Sequence, residues 1–179
     1  MSKNNKNKNT WPIKVAFIAF FISFFFSFIS EISMPKVNII FQIIILILFI
    51  TIGIIFDMIG VAVTSTKEEP LNAMSSKKIK GAKKAVSFKK NADIVSSFCN
   101  DVIGDICGII SGTAGVTISS TLAKTLNINL FLVSLIITSI IAALTIGGKA
   151  TFKKIAIKNS NKIVYLTAKT ISKFKKDSI

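Results

Sequence analysis

The stretch VNIIFQIIILILFITIGIIFDMIGVAVTS, residues Val37 to Ser65, decides the fold of this chain. Asp57 is its only charged residue, and most of the remaining side chains are apolar. A bilayer core about 30 Å thick needs about 20 mostly apolar residues per helix, so this stretch predicts a transmembrane helix.

Three further stretches predict membrane spans, at residues 11–33, 96–122 and 129–148. The stretch at 96–122 carries three polar residues near its start, so a helix buried in protein or lying at the membrane surface is its alternative. The stretch at 11–33 resembles a signal peptide in its lysine-rich start. We interpret it as a span because it has full length, no A-x-A-like cleavage site and further spans after it.

The lysines predict the orientation of the spans. The chain has 23 lysines and neither arginine nor histidine. All but two of the lysines fall before or just inside the first span, in the loop between the second and third spans, or after residue 148. The positive-inside rule then places both termini and the middle loop in the cytoplasm. The predicted fold is an all-α integral membrane protein with four transmembrane helices, multi-pass in a bacterial-type plasma membrane.

The segments outside the spans are basic. We expect residues 1–10 to be disordered, 66–95 to form two cytoplasmic amphipathic helices beside the membrane, and 149–179 to form a basic amphipathic cytoplasmic tail. The formal net charge is +15. Because these lysines flank spans, anionic lipid headgroups are their predicted partner, and nucleic acid is not.

The stretch NDVIGDICGIISG, residues 100–112, places polar groups inside a predicted span. Asp101 and Asp105 lie four residues apart on one helix face, and the predicted topology brings Asp57 to a similar depth. Charged groups within spans are costly, so they are usually functional or paired. Three glycines recur every four residues beside these aspartates, at 104, 108 and 112. They predict close packing against a second span or in a homodimer.

Oxygen ligands without histidine suit a hard cation such as Mg²⁺ or Na⁺. The two cysteines are too far apart along one helix to form a disulfide with each other and too few to hold zinc. In the structural alternative, the aspartates pair with lysines such as Lys67 or Lys90 near the headgroups. For Asp101 both interpretations stay open, whereas Asp57 and Asp105 lie deeper and favour the cation.

Three stretches resemble the transmembrane domain of the CNNM/CorC family of magnesium transport proteins. They are IFDMIGVAVTS at 55–65, GAKKAVSFKKNADIVSSF at 81–98 and GKATFKKIAIKNSNKI at 148–163, and the family's IGN region falls on 100–105. The resemblance covers about two thirds of the chain. It implies that three of the four spans and the juxtamembrane helices correspond to those of the family. It also implies that this chain is a divergent member that lacks the family's paired CBS regulatory domain.

The resemblance also implies a cation site. By position, Asp57, Asn100 and Gly104 fall where the family places residues that line the cation path, with Asp105 beside them. Three departures stand out: Lys149 replaces the family's glutamate, Phe152 replaces its proline, and Asp57 and Gly60 replace the serine-rich end of its first span.

Together these observations predict a protein that handles a hard cation, tentatively Mg²⁺. Its predicted metal ligands are Asp57, Asn100, Asp101, Gly104 and Asp105. Without histidine or an extramembrane domain we expect no enzymatic activity, no catalytic residue and no organic cofactor. The alternative function is a non-transporting structural or accessory protein that docks a partner membrane protein.

Overall fold

The computed structural model describes residues 11–174, and at residues 11, 12, 14, 15 and 174 only the backbone. The predicted basic segment 1–10 and the last five residues of the tail lie outside the described residues. Throughout the described range the chain forms helices and no strand. The helices are α1 (Trp11–Ser33), α2 (Ile39–Ser65), α3 (Glu68–Ser76), α4 (Ala82–Lys90), α5 (Ala92–Ser97), a π-helix (Phe98–Gly104), α6 (Asp105–Leu126), α7 (Leu130–Lys158) and α8 (Ser160–Phe174).

Four helices are long and apolar enough to cross a membrane. They cover Ala16–Lys36, Ile39–Ser65, Ala92–Leu126 and Leu130–Lys158. This confirms the prediction of an all-helical chain with four candidate spans. The sidedness of the termini stays a prediction from the lysine distribution.

The last span extends further than predicted. α7 continues through Gly147 and Gly148 to Lys158, ten residues past the predicted boundary at 148. Glycine inside a helix is usually unfavourable, but Gly148 lets Ile54 of α2 pack directly against the α7 backbone. The extension also brings Ala156, which is fully buried, into a small core. Packing gained by the longer helix therefore offsets the weak helix propensity of the two glycines.

The chain divides into two compact units. The first comprises the residues up to Thr51 together with Asp105–Ala142, and the second comprises Ile52–Gly104 together with the residues from Ala143 onward. In the first unit α1 packs against α6. Gln42 ties the turn between α1 and α2, because its amide donates hydrogen bonds to the carbonyl oxygens of Met34 (2.7 Å) and Val37 (3.0 Å).

The second unit contains a well-packed cluster of short helices, formed by α3, α4 and α8. We call this cluster the platform. Its core also takes residues from the ends of α2 and α7 and is made mostly of small side chains, namely Ala62, Val63, Leu71, Ala85, Ala156, Val164 and Ala168. Gly81 immediately precedes α4 with φ +86°, and a Cβ there would lie 2.8 Å from the Cα of Lys169. The small residues thus let the helices approach closely, and the predicted amphipathic segments pack on one another.

Candidate cation site

Asp57 lies on α2, about 12 Å before the end of that helix at a rise of 1.5 Å per residue. Its carboxylate is paired within the second unit: Asp57 Oδ1 lies 3.6 Å from Lys149 Nζ. The two side chains are 19% and 31% exposed, respectively. A carboxylate placed inside a span therefore has a positive partner from the same chain, which lowers the cost of holding it there.

Asn100 lies in the π-helix and reaches α2. A Cβ at residue 60 would lie 2.7 Å from Asn100 Cγ and closer still to Asn100 Oδ1, so the amide packs with its oxygen against α2 where only glycine leaves room. Asn100 Nδ2 donates a long hydrogen bond of 3.4 Å to Ser96 Oγ. Asn100 Oδ1 is buried and accepts no hydrogen bond from any described residue. A buried carbonyl oxygen without a donor is unfavourable, and it is a potential ligand for a cation.

The π-helix sets the direction of this amide. It covers Phe98–Gly104 and separates α5 from α6 within one continuous span. π-Helical turns are rare and frequently occur at functional sites. A π-helix has more residues per turn than an α-helix, so the side chains that follow it are rotated about the helix axis relative to an uninterrupted α-helix. No simple pattern in the sequence of this seven-residue stretch predicts the π-helix.

Gly104 ends the π-helix beside the same lysine. A Cβ at residue 104 would lie 3.8 Å from Lys149 Nζ. The second unit therefore groups five residues that lie between positions 57 and 149 of the chain: Asp57, Gly60, Asn100, Gly104 and Lys149. We call this group the polar cluster.

The other two predicted ligands do not take part in these contacts. Asp101 lies in the π-helix and is exposed, and Asp105 begins α6 in the first unit and is also exposed. Neither forms an ion pair with another residue in the range 11–174. Across that same range, no group of three or more His, Cys, Asp or Glu residues is placed to hold a metal ion. The polar cluster offers one carboxylate and one amide oxygen, and a magnesium ion bound there would take its remaining ligands from water.

Two members of the polar cluster were not among the predicted site residues. Lys149 is a departure from the CNNM/CorC pattern and the first lysine of the predicted tail. Gly60 stands out in the sequence only because, with Asp57, it replaces the serine-rich end of that family's first span.

No protein-family model, curated protein or solved structure matches this chain. The resemblance to the CNNM/CorC family therefore stays a prediction drawn from the motifs quoted above.

Proposed function

We propose that this multi-pass membrane protein handles a hard cation, with Mg²⁺ as the first candidate, at the polar cluster of the second unit. The observation that carries the proposal is Asn100 Oδ1, a buried oxygen without a donor, held beside the helix that carries Asp57. Asp57 supplies the negative charge, and Asn100 supplies a neutral oxygen. Gly60 leaves room for the Asn100 amide against α2, and Gly104 leaves room beside the Nζ of Lys149.

The ligand chemistry supports a hard ion over a soft one. Both oxygens are of the kind that Mg²⁺ and Ca²⁺ prefer, and Mg²⁺ commonly keeps several waters while using one or two carboxylates. The cysteine nearest in sequence, Cys99, is buried in the same π-helix, and the chain has no histidine to complete a zinc or copper site.

Thermal stability of the purified protein in detergent tests the proposal. A ligand that binds only the folded state raises its stability, by about 2.7 kcal/mol when its free concentration is 100 times the Kd. We expect Mg²⁺ to raise the unfolding temperature, and we expect Asp57→Asn to abolish that rise. Ca²⁺, Na⁺ and Mn²⁺ titrated in parallel identify the ion.

Asp93→Asn is the matched control. Asp93 lies on α5 in the same unit, is exposed and forms no ion pair with the other described residues. If both substitutions reduce the effect of Mg²⁺ equally, the ion acts through general surface charge. If Asp57→Asn leaves the effect intact, the polar cluster is not the site.

A second function, docking of a partner or of a second copy, is favoured by a separate observation on α6. Gly108 and Gly112 are exposed, and a Cβ at either would have no neighbour within 4 Å. Ile109 and Val116 near the same face are also exposed, at 46% and 61%. Small residues on a span promote helix association, so this face suits a homodimer or an accessory role.

Cysteine cross-linking separates these outcomes. In a variant with Cys99 and Cys107 replaced by alanine, Gly112→Cys should form a disulfide-linked dimer in membranes if two copies meet at this face. Lys124→Cys, at an exposed position near the end of α6, serves as the control for random collision. Absence of a dimer with Gly112→Cys would rule out a homodimer through this face.

The platform is also proposed to contact anionic lipid. Its helices expose lysines on α4 and α8, for example Lys83, Lys90, Lys162 and Lys173. Each lysine near an anionic surface contributes about 1 kcal/mol of attraction. This contact would hold the second unit against the cytoplasmic headgroups.

A further inference from the structure

Lys149 gives the polar cluster a positive charge of its own. Its Nζ lies 3.6 Å from Asp57 Oδ1, and a Cβ at residue 104 would lie 3.8 Å from the same Nζ. The ammonium group thus stands at the one carboxylate that the proposed cation site offers.

The Asp57 carboxylate cannot bind the Lys149 ammonium and a metal ion equally well at the same time. An ammonium at 3.6 Å already neutralises the single negative charge of Asp57, and a divalent ion placed at the same oxygen would be repelled by it at short range. Binding of a metal ion to Asp57 therefore requires Lys149 to leave, or at least to move away.

The surroundings of Lys149 permit that movement. The lysine side chain is 31% exposed, so it is not enclosed by packed residues. Gly147 and Gly148 precede it on α7, and a Cβ at residue 147 would meet nothing within 4 Å. The four-carbon stem of lysine is flexible, so the ammonium can turn out toward water or headgroups while the helix stays in place.

We propose that Lys149 is a tethered competitor for the cation site: its ammonium occupies Asp57 in the ion-free protein and is displaced when the metal ion binds. This inference rests on the proposed function and adds a regulatory element to the same site. It means that the affinity for the ion is set by how tightly Lys149 holds Asp57 as well as by the ligands themselves.

Replacement of Lys149 tests this directly. In Lys149→Met the competitor is removed and the apolar stem is kept, so the apparent affinity for Mg²⁺, measured by the rise in unfolding temperature, should increase about tenfold or more, within the usual range for coupled binding. Lys149→Arg keeps a positive charge and should bind Mg²⁺ as weakly as the parent protein. Asp57→Asn combined with Lys149→Met should not respond to Mg²⁺.

Lys153→Met is the control for loss of one positive charge. Lys153 lies one turn further along α7, is exposed and pairs with no acidic residue in the described range. An equal gain in Lys153→Met and Lys149→Met would mean that net charge, and not the contact with Asp57, sets the affinity. Such a result would overturn the inference.

The outcomes for the site and for its competitor differ. If the parent protein responds to Mg²⁺ through Asp57 and Lys149→Met responds with unchanged affinity, the competitor is rejected and the site stands. If neither the parent protein nor Lys149→Met responds to Mg²⁺, the proposed function fails and the inference fails with it. Should Lys149→Met not yield a monodisperse protein, Lys149→Gln removes the charge while keeping a hydrogen-bond donor for Asp57, and the same affinity gain is required of it.

Discussion

α1 in the first unit carries a run of phenylalanines whose rings stay mostly exposed, whereas α8 in the second unit buries alanine, valine and serine. Phe17, Phe21 and Phe24 are each more than 60% exposed, while Val164 and Ala168 are fully buried. The buried positions of α8 recur every fourth residue, at 160, 164, 168 and 172.

The contrast follows from the solvent that each helix meets. Lipid tails are as apolar as a phenylalanine ring, so α1 gains nothing by turning its rings inward. Neighbouring rings instead stack along its surface, as Phe20 and Phe24 do at 6.3 Å between centroids. In the platform, small residues at the contacts let the helices approach closely, so the core is filled by closely spaced helices and not by large side chains. A change of one methyl group should therefore matter in the platform, and a change of a whole ring should matter little on α1.

The largest effect is expected from Gly81→Ala. The left-handed backbone at φ +86° costs a non-glycine residue about 1 to 2 kcal/mol, and the new Cβ would press on the Lys169 backbone at 2.8 Å, adding about 1 to 3 kcal/mol. We expect a loss of about 4 kcal/mol in the free energy of unfolding, measured by SDS titration of the detergent-solubilised protein. Gly112→Ala, placed where a Cβ meets nothing, should change it by less than about 1 kcal/mol. Equal losses at both positions would contradict the contrast between the units.

A smaller loss is expected from Leu71→Ala. Leu71 is fully buried in the platform, and deletion of a buried leucine side chain costs about 3 kcal/mol. Leu132→Ala on α7 removes the same atoms from a side chain that is 53% exposed, and should have little effect. A thiol-reactive dye can follow both transitions, because Cys99 and Cys107 are buried in the folded protein. If the two variants unfolded at the same temperature, the platform would not be a packed core.

The pair of Asp57 and Lys149 should show a coupling of about 1 kcal/mol in a double-mutant cycle. The value is modest because both side chains retain some exposure. The cycle uses Asp57→Asn, Lys149→Met and the double variant, with unfolding free energies measured in the absence of divalent ions. Asp93→Asn combined with Lys149→Met serves as the control cycle. Additive effects in the first cycle would mean that the ion pair makes no net contribution.

The smallest effect is expected from Phe24→Leu. The ring is 62% exposed and, among the described side chains, stacks on Phe20 and Phe28 of α1, so the unfolding free energy should change by less than about 0.5 kcal/mol. A loss of several kcal/mol would show that the aromatic face of α1 is covered by protein in the membrane, and would point to a partner on that face.

Much of the polar cluster could not be predicted from the chain alone. Asp57, Asn100 and Gly104 are predicted site residues because the resemblance to the CNNM/CorC family places them, by position, where that family lines its cation path. Lys149, which pairs with Asp57 and lies beside Gly104, was placed in the tail, because the last span was predicted to end at residue 148. Spacing predicts Asp101 and Asp105 on one helix face, and the predicted topology places them at the depth of Asp57, but the π-helix between α5 and α6 interrupts the α-helix before Asp105.

The amino-acid sequence by itself determined the all-helical structure and the four candidate spans, because in a bilayer every backbone polar group must be satisfied within the segment, and the apolar stretches have the required length. Only the tertiary structure decided which polar groups meet. The contact between Asp57 and Lys149 joins residues 92 positions apart, and Asn100, which packs against Gly60, lies in the π-helix. Such contacts depend on the rotation of each helix about its own axis, which follows from packing and cannot be read from local composition.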